Sequence, residues 1–204
     1  MSLRDFLFAY SYDMLNSSVE TRLIQYREET AGKARGEVLE IGGGTGANLP
    51  FYRSDANLTI VEPNTHMAKL LRVKANELGR VVKIVDGYGE DLAFADGSFD
   101  AVVSTLVLCM VDDLPKVITE VRRVLKPGGA FYFYEHVVSR RPIVHKFQDI
   151  LNPFWRLLTT GCNLNRDIEM AIKDDKFTQV EVTNFSLSVG MPVTLPNIVG
   201  VAKV

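Results

Sequence analysis

The chain alternates short, almost continuously apolar runs with helix-patterned segments, and this alternation constrains the fold more than any other feature. Runs without polar alternation are typical of parallel strands that are covered on both faces. Strands that alternate with helices indicate a doubly wound α/β sheet, with helices on both of its faces. Five runs have this strand character: Val38–Ile41, Leu58–Val61, Val81–Val85, Phe99–Ser104 and Ala130–Tyr134.

Two intervening segments carry clear helix signals. Asn64 precedes Met67, Leu70, Leu71 and Leu78, and Asp112 or Asp113 precedes Leu114, Val117, Ile118, Val121 and Leu125. Apolar residues at this spacing form one face of a helix, and Asn or Asp is a favoured N-cap. We therefore expect a helix after the second strand and another after the fourth.

The two ends of the chain depart from the alternation. Residues 1–35 have the pattern of one or two aromatic-bearing helices, and Thr178–Thr183 and Ile198–Ala202 are further strand candidates. The stretch 140–175 is far longer than an ordinary connection, which indicates a helical insertion. It either covers the sheet edge or forms a substrate lid. The prediction is one domain, 1–204, with a seven-stranded, mostly parallel sheet whose last strand is antiparallel, a helical cap (1–35) and a helical insertion or lid (140–175).

Composition narrows the function classes. The 204 residues are 47% hydrophobic and 24% charged with a net charge of −2, so one globular domain is expected and nucleic acid is not an expected partner. Two cysteines suggest a reducing compartment, and we expect the cytoplasm. The longest apolar run, Ala101–Val111, is too short to span a bilayer, and the first residues resemble no signal peptide. No anchor is predicted, while peripheral membrane association stays open.

A glycine-rich loop, Glu40-Ile41-Gly42-Gly43-Gly44-Thr45-Gly46-Ala47, follows the first strand and is expected to enter a helix. Glycines permit a tight turn and let a ligand approach the backbone. Glu62 ends the second strand, 20 residues after Gly42, where a carboxylate can accept hydrogen bonds from ribose hydroxyls. The combination predicts a cofactor that contains a nucleoside.

Gly42, Gly44 and Ala47 also fit the dinucleotide pattern, so a nicotinamide-dependent oxidoreductase is a rival. Glu40 argues against it, because an acid next to the loop suits a cationic amino group and not a pyrophosphate. Three downstream motifs point the same way: Gly89-Glu90-Asp91-Leu92, Asp96-Gly97-Ser98-Phe99-Asp100 and Val124-Leu125-Lys126-Pro127-Gly128-Gly129.

With these motifs in this order, the chain resembles the class I S-adenosylmethionine-dependent methyltransferases across residues 38–136. It is most similar to the methyltransferase-like thiol S-methyltransferases, and that resemblance extends over roughly residues 38–204. The segments that carry it are Gly44-Thr45-Gly46-Ala47-Asn48, Thr105-Leu106-Val107-Leu108-Cys109, Pro127-Gly128-Gly129-Ala130-Phe131, Glu135-His136-Val137 and Gly161-Cys162-Asn163-Leu164. The resemblance implies a Rossmann-like fold and S-adenosyl-L-methionine as the cofactor.

The resemblance also implies roles for the loop and the two acids. Gly42, Gly44 and Gly46 would line the methionine and ribose part of the cofactor. Glu40 would face its ammonium group or order a water there, and Glu62 would accept hydrogen bonds from the ribose.

Further cofactor contacts are implied after the second, third and fourth strands. Met67 would pack on the adenine, with ordinary helix core as the alternative. Tyr88 stands where the quinone-biosynthesis type has an Asp beside the adenine, so the main chain of Gly89 or a stacked ring would make that contact. Glu90 belongs to the same cofactor-binding motif. Thr105 and Leu106 would lie beneath the reacting centre.

The acceptor is expected to be a small, largely apolar molecule, with a thiol as the leading candidate. Its expected surroundings in the insertion are Phe147, Phe154 and Trp155. His136 is the candidate general base, with a hydrogen-bonded rim residue as the alternative. A phenol, quinol or carbon acceptor of the quinone-biosynthesis type is the rival substrate class. No histidine and cysteine spacing matches a metal site, so no metal is expected.

Overall fold

In a computed structural model, which describes residues 23–159, 161–188 and 194–204, seven strands form one sheet in the order β3-β2-β1-β4-β5-β7-β6. Neighbouring strands from β3 to β5 run parallel, and β7 is antiparallel to both β5 and β6. The predicted sheet and the antiparallel last strand are confirmed. The strands are β1 (Glu37–Ile41), β2 (Asn57–Val61), β3 (Val82–Val85), β4 (Phe99–Thr105), β5 (Leu125–His136), β6 (Gln179–Ser188) and β7 (Thr194–Lys203).

Helices cover the sheet on both faces, as the apolar strands predict. Residues 23–29 are helical (α1) and lead into a 3₁₀ turn at Ala31–Lys33, while residues 1–22 of the predicted cap lie outside the described part. The other helices are α2 (Thr65–Glu77), α3 (Leu114–Val124), α4 (Pro142–Leu158) and α5 (Ile168–Asp174).

Alternate residues of the central strands divide the core into two layers. On β1, Leu39 belongs to the cluster formed with α3 and α5, whereas Val38 belongs to the cluster formed with α2. Val102 and Val103 of β4 divide in the same way. The side-chain period of two therefore buries successive residues of one strand under different helices.

Local capping fixes the starts of two helices. Asn64 accepts hydrogen bonds from the backbone N–H groups of His66 and Met67, and Asp113 accepts one from Lys116. Each cap satisfies donors that the first helical turn leaves open. Both predicted helices are confirmed, with Asp113 rather than Asp112 as the cap.

The helix predicted directly after the glycine loop is wrong. Residues 44–50 form successive turns, with backbone bonds from Gly46 to Gly43 and from Leu49 to Gly46. Gly44 and Gly46 have positive φ angles of 55° and 86°, a conformation that does not continue a right-handed helix. The cofactor loop is therefore a chain of turns and not a helix N-terminus.

The 140–175 segment contains α4 and α5. Gln148 is the buried residue of α4 and ties the helix down: its side chain accepts from the Ser139 N–H and donates to the carbonyls of Val137 and Leu164. Large apolar side chains of α4 are exposed, at Ile143, Phe147, Ile150, Leu151, Phe154, Leu157 and Leu158. Across the described residues, every helix is too short or too polar to cross a membrane.

Candidate cofactor and active site

A cavity of about 560 Å³ opens at the carboxyl ends of β1, β2 and β4. This is where ligands bind in open α/β sheets. Of the ten residues predicted to bind the cofactor, nine line this cavity, and they come from four separate connections. They are Glu40, Gly42, Gly44, Glu62, Met67, Gly89, Glu90, Thr105 and Leu106.

Two loop glycines next to the cavity have different reasons for being glycine. Gly42 has a φ of 66°, and a Cβ there would lie 2.6 Å from Val107 Cγ2, so the loop can pass the β4 connection only without a side chain. Gly44 has open space around the Cβ position, and its N–H donates to Glu62 Oε2 at 2.8 Å. Its bare backbone is therefore presented to the cavity.

Gly46 is the predicted residue that does not line the cavity. Its φ is 86°, and a Cβ would lie 2.8 Å from Leu71 Cδ1 and 2.9 Å from Leu49 Cδ1. Leu71 belongs to α2, so Gly46 allows the loop to pack closely on that helix. Its role in the described structure is packing, not cavity lining.

Glu40 is buried at the centre of a polar network. Asn48 donates from Nδ2 to Glu40 Oε1 at 2.7 Å and to Thr105 Oγ1 at 2.8 Å, and Tyr52 donates from its hydroxyl to Glu40 Oε2 at 3.0 Å. Asn48 Oδ1 in turn accepts from Arg27 at 2.6 Å. Burial raises the pKa of Glu40 to about 7, although the hydrogen bonds from Asn48 and Tyr52 act in the opposite direction. This carboxyl can therefore change its charge near neutral pH.

Glu62 is held by two backbone donors. Oε1 accepts from the Asn64 N–H and Oε2 from the Gly44 N–H, both at 2.8 Å. Burial raises its pKa, and the two backbone hydrogen bonds oppose that effect. The carboxylate is thus fixed in position, with its oxygens directed by the loops that flank the cavity.

The opposite rim of the cavity comes from the connections after β3 and β4. Glu90 Oε1 accepts from the N–H groups of Asp112 at 2.8 Å and Asp113 at 3.3 Å, which ties these two connections together. Met67 is buried and also lines the cavity. Its surroundings therefore suit both predicted roles, helix core and adenine contact. Tyr88 lines the rim and is 66% exposed.

Leu106 is a strained residue at the end of β4. Its φ of 58° is unusual for a residue with a large side chain. The next turn is held by Glu135, whose Oε1 accepts from Ser104 Oγ at 2.8 Å and from the N–H groups of Val107 and Leu108 at 3.1 Å. Burial raises the pKa of Glu135 to about 7, while these hydrogen bonds lower it. Glu135 therefore shapes the wall of the cavity from behind.

His136, the predicted general base, does not line the cavity. Its Nε2 lies 2.9 Å from Cys162 Sγ, and Cys162 Sγ lies 3.5 Å from Cys109 Sγ. The contact with Cys109 lowers the pKa of the Cys162 thiol, and His136 acts in the same direction. The spatial cluster of two thiols and an imidazole was not predicted, because the three residues are 26 or more positions apart in the sequence. The sequence held one hint of this cluster: Cys109 follows β4, His136 ends β5, and these two strands are neighbours in the sheet.

The 140–175 segment contributes no described residue to the cavity lining. Phe147 and Phe154 are exposed, and Trp155 packs against the core cluster that contains Cys162. A lid role for this segment stays a prediction.

Three residues that the sequence did not single out, Arg27, Asn48 and Tyr52, belong to the Glu40 network or the cavity. For Asn48, the only feature of the sequence that could have indicated a role in the site was its place in the glycine loop.

Comparison with known proteins agrees with this geometry. Residues 39–133 match a family model described as a methyltransferase domain. The human thiol S-methyltransferase TMT1A is 36% identical over 200 residues, covering 96% of this chain and 82% of that protein. A ubiquinone/menaquinone biosynthesis C-methyltransferase from Bartonella bacilliformis is 32% identical over 120 residues, 56% of this chain and 46% of that protein.

A solved structure supports the fold. A SAM-dependent methyltransferase from Thermotoga maritima superposes with a TM-score of 0.71 at 19% identity, covering 98% of this chain and 96% of that one. The cavity, the two acids and these matches decide against a nicotinamide-dependent oxidoreductase. The chain belongs to the family of S-adenosylmethionine-dependent methyltransferases that includes the thiol S-methyltransferase TMT1A.

Proposed function

We propose that this chain transfers the methyl group of S-adenosylmethionine to the sulfur of a small, largely apolar thiol. The observation that carries the proposal is the apolar wall after β4, where Leu106, Val107, Met110 and Val111 line the same cavity as the glycine loop. Such a wall suits an acceptor without charge. The similarity to TMT1A over 96% of the chain supports sulfur as the acceptor atom.

The donors and acceptors that remain at the cavity support the proposed cofactor-binding roles. Each oxygen of Glu62 accepts one backbone hydrogen bond, which leaves a lone pair on each for a ribose hydroxyl. Glu40 would neutralise the cofactor ammonium. Met67 would cover the adenine, and Gly42 and Gly44 would admit the methionine portion.

The reaction requires little acid–base chemistry from the protein. S-adenosylmethionine would supply an activated methyl group: the acceptor sulfur would bond to the methyl carbon as the bond from that carbon to the sulfonium breaks, which would give a thioether and S-adenosylhomocysteine. Alignment of the three atoms supplies most of the rate. A thiol has a pKa of about 8.5, so a fraction is already ionised at neutral pH and its proton can go to solvent. The proposal therefore does not depend on His136 as a general base.

A phenol or quinol acceptor would need a dedicated base, because its hydroxyl is mostly protonated at neutral pH. Quinone-type C-methyltransferases match 56% and 67% of this chain, less than the 96% that TMT1A matches, which favours the thiol. A net charge of −2 also supports a small-molecule acceptor over nucleic acid, and two free cysteines support a reducing, cytoplasmic setting.

A radiolabelled-methyl screen over small thiols, phenols, quinols and amines tests the proposal. We expect transfer to apolar thiols, and we expect Glu62→Gln to weaken it by raising the KM for the cofactor. Glu37→Gln is the matched control, because Glu37 lies at the opposite, exposed end of β1. Preferred transfer to a phenol or quinol would reject the thiol assignment and favour the quinone-biosynthesis type.

A further inference from the structure

The cluster of Cys109, His136 and Cys162 lies outside the cofactor cavity and has no part in the proposed reaction. Each residue offers one ligand atom, and the three atoms lie within 4.8 Å of one another. The three residues come from different parts of the fold: the connection after β4, the end of β5 and the turn that follows α4. The fold, not the local sequence, assembles the cluster.

We propose that these three side chains bind a zinc ion. Two thiolates and an imidazole are ligands that zinc commonly takes in proteins. The two negative charges of the thiolates balance the charge of Zn²⁺, so the filled site is neutral. A neutral site suits this position, because both cysteines are buried.

The distances are close to those that a tetrahedral zinc site requires. With Zn–S of about 2.3 Å and Zn–N of about 2.0–2.1 Å, the two sulfurs would lie about 3.8 Å apart and each sulfur about 3.6 Å from the nitrogen. The observed separations are 3.5 Å between the two sulfurs and 2.9 Å between Cys162 Sγ and His136 Nε2. Entry of the ion requires these two pairs to separate by about 0.3 Å and about 0.7 Å. The third pair, Cys109 and His136, has its ligand atoms within 4.8 Å.

Two buried polar atoms lie beside the three ligand atoms and would belong to the surroundings of the ion. His136 Nδ1 and Trp155 Nε1 are buried and have no hydrogen-bond partner of normal geometry among the described residues. Neither atom would touch the ion: zinc would bind His136 Nε2, so Nδ1 would carry the proton and donate to water, and the indole N–H of Trp155 can only donate. Trp155 packs on the core cluster that contains Cys162, which places its N–H where it can support a metal-bound thiolate.

Zinc would fasten the insertion to the wall of the cavity. Asn163, next to Cys162, already donates its backbone N–H and its Nδ2 to the Cys109 carbonyl, both at 2.9 Å. Cys109 lies in the same connection as Leu106 and Met110, which line the cavity. Three protein ligands leave the fourth position of the ion to water or another small donor.

The test is metal binding by the full chain, which does not require methyl transfer. The reduced, metal-stripped protein is titrated with Zn²⁺ and, separately, with Co²⁺. We expect one ion per chain and a thiolate-to-cobalt charge-transfer band. The chain has only two cysteines, so this band can arise only from Cys109 and Cys162.

Variants assign the ligands. Cys109→Ser, Cys162→Ser and His136→Gln should each weaken Zn²⁺ affinity by roughly 100-fold or more. His145→Gln is the control, because this histidine lies exposed on α4 and should bind zinc like the parent protein. His136→Gln keeps both thiols, so it remains informative if a cysteine variant fails to fold.

Three results would overturn the proposal: no charge-transfer band with Co²⁺, unchanged zinc affinity in the cysteine variants, or a Cys109–Cys162 disulfide that persists under reducing conditions with zinc present. Because binding is measured without an acceptor, failure of the thiol assignment would leave this result unaffected.

Discussion

Replacing Glu40 by glutamine should make the fold more stable and the cofactor site weaker. Burial raises the pKa of Glu40 from an ordinary 4.5 to about 7, against the effect of its hydrogen bonds. A buried acid with a raised pKa favours folding while it is protonated. That contribution is complete below pH 4.5 and is lost as the pH rises through 7.

The change in the free energy of unfolding follows from the difference between these two pKa values. At about 1.4 kcal/mol for each pH unit between 4.5 and about 7, ionised Glu40 lowers the free energy of unfolding by roughly 3 kcal/mol above pH 7. Glutamine has the same shape, can accept from Asn48 and carries no charge. Glu40→Gln should therefore be more stable than the parent at pH 8, by up to about 3 kcal/mol, with the gain fading towards pH 5.

Cofactor affinity should change in the opposite sense. The ionised form of Glu40 is the one that neutralises an ammonium group, so affinity should rise with pH through about 7. For the parent protein, the dissociation constant at pH 6 should be about tenfold that at pH 8. Glu40→Gln should bind more weakly at pH 8, by roughly 10- to 100-fold, and should show no step between pH 6 and 8.

Urea unfolding at pH 5 and pH 8 measures the first effect, and calorimetric titration with S-adenosylhomocysteine from pH 6 to pH 8 measures the second. Glu37→Gln is the control on the same strand, where the carboxylate is exposed and accepts from Asn57 Nδ2. It should alter neither quantity. Loss of stability in Glu40→Gln at pH 8, or equal parent affinities at pH 6 and 8, would refute the assignment of this charge.

Three further substitutions test the loop. Gly46→Ala should lower the free energy of unfolding by about 1–3 kcal/mol, because its Cβ would meet Leu71 and Leu49 side chains, and chemical denaturation measures this loss. Gly44→Ala has room for its Cβ, so it should lower the free energy of unfolding by only about 1–2 kcal/mol, from the positive φ. Calorimetry should show weaker cofactor binding, and unchanged affinity would remove Gly44 from the site. Asn48→Asp puts a second carboxylate against Glu40, so the pH midpoint of cofactor binding should move above 7, and an unmoved midpoint would contradict the network.

The parts of the fold that the sequence predicted depend on local signals. Asn64 and Asp113 cap their own helices, and the strand runs are buried on both faces, so each element carries its own pattern. The helix predicted after the glycine loop is wrong for a local reason as well. Glycines of this spacing predict a helix entry, but Gly44 and Gly46 adopt positive φ angles that make turns instead.

The parts of the site that the sequence missed depend on long-range contacts. Arg27 reaches Asn48 across 21 positions, and Asn48 reaches Thr105 across 57. No spacing rule links such residues, because they meet only in the folded chain; Asn48 reaches Thr105 because β1 and β4 pair side by side. The glycine loop and Glu62 could be found because the dinucleotide-like pattern records their separation in the sequence.

The end of β5 connects the insertion to the wall of the cavity, although no described residue of the insertion lines the cavity. Two consecutive residues there serve different neighbours: Glu135 accepts hydrogen bonds from the turn after β4, and His136 contacts Cys162 of the insertion. Cys109 lies in that same turn region, and its Sγ is 3.5 Å from Cys162 Sγ. A change in the insertion therefore has a short physical route to Leu106, whose strained backbone forms part of the cavity wall. The insertion is therefore joined to this wall by direct contacts, although none of its described residues lines the cavity.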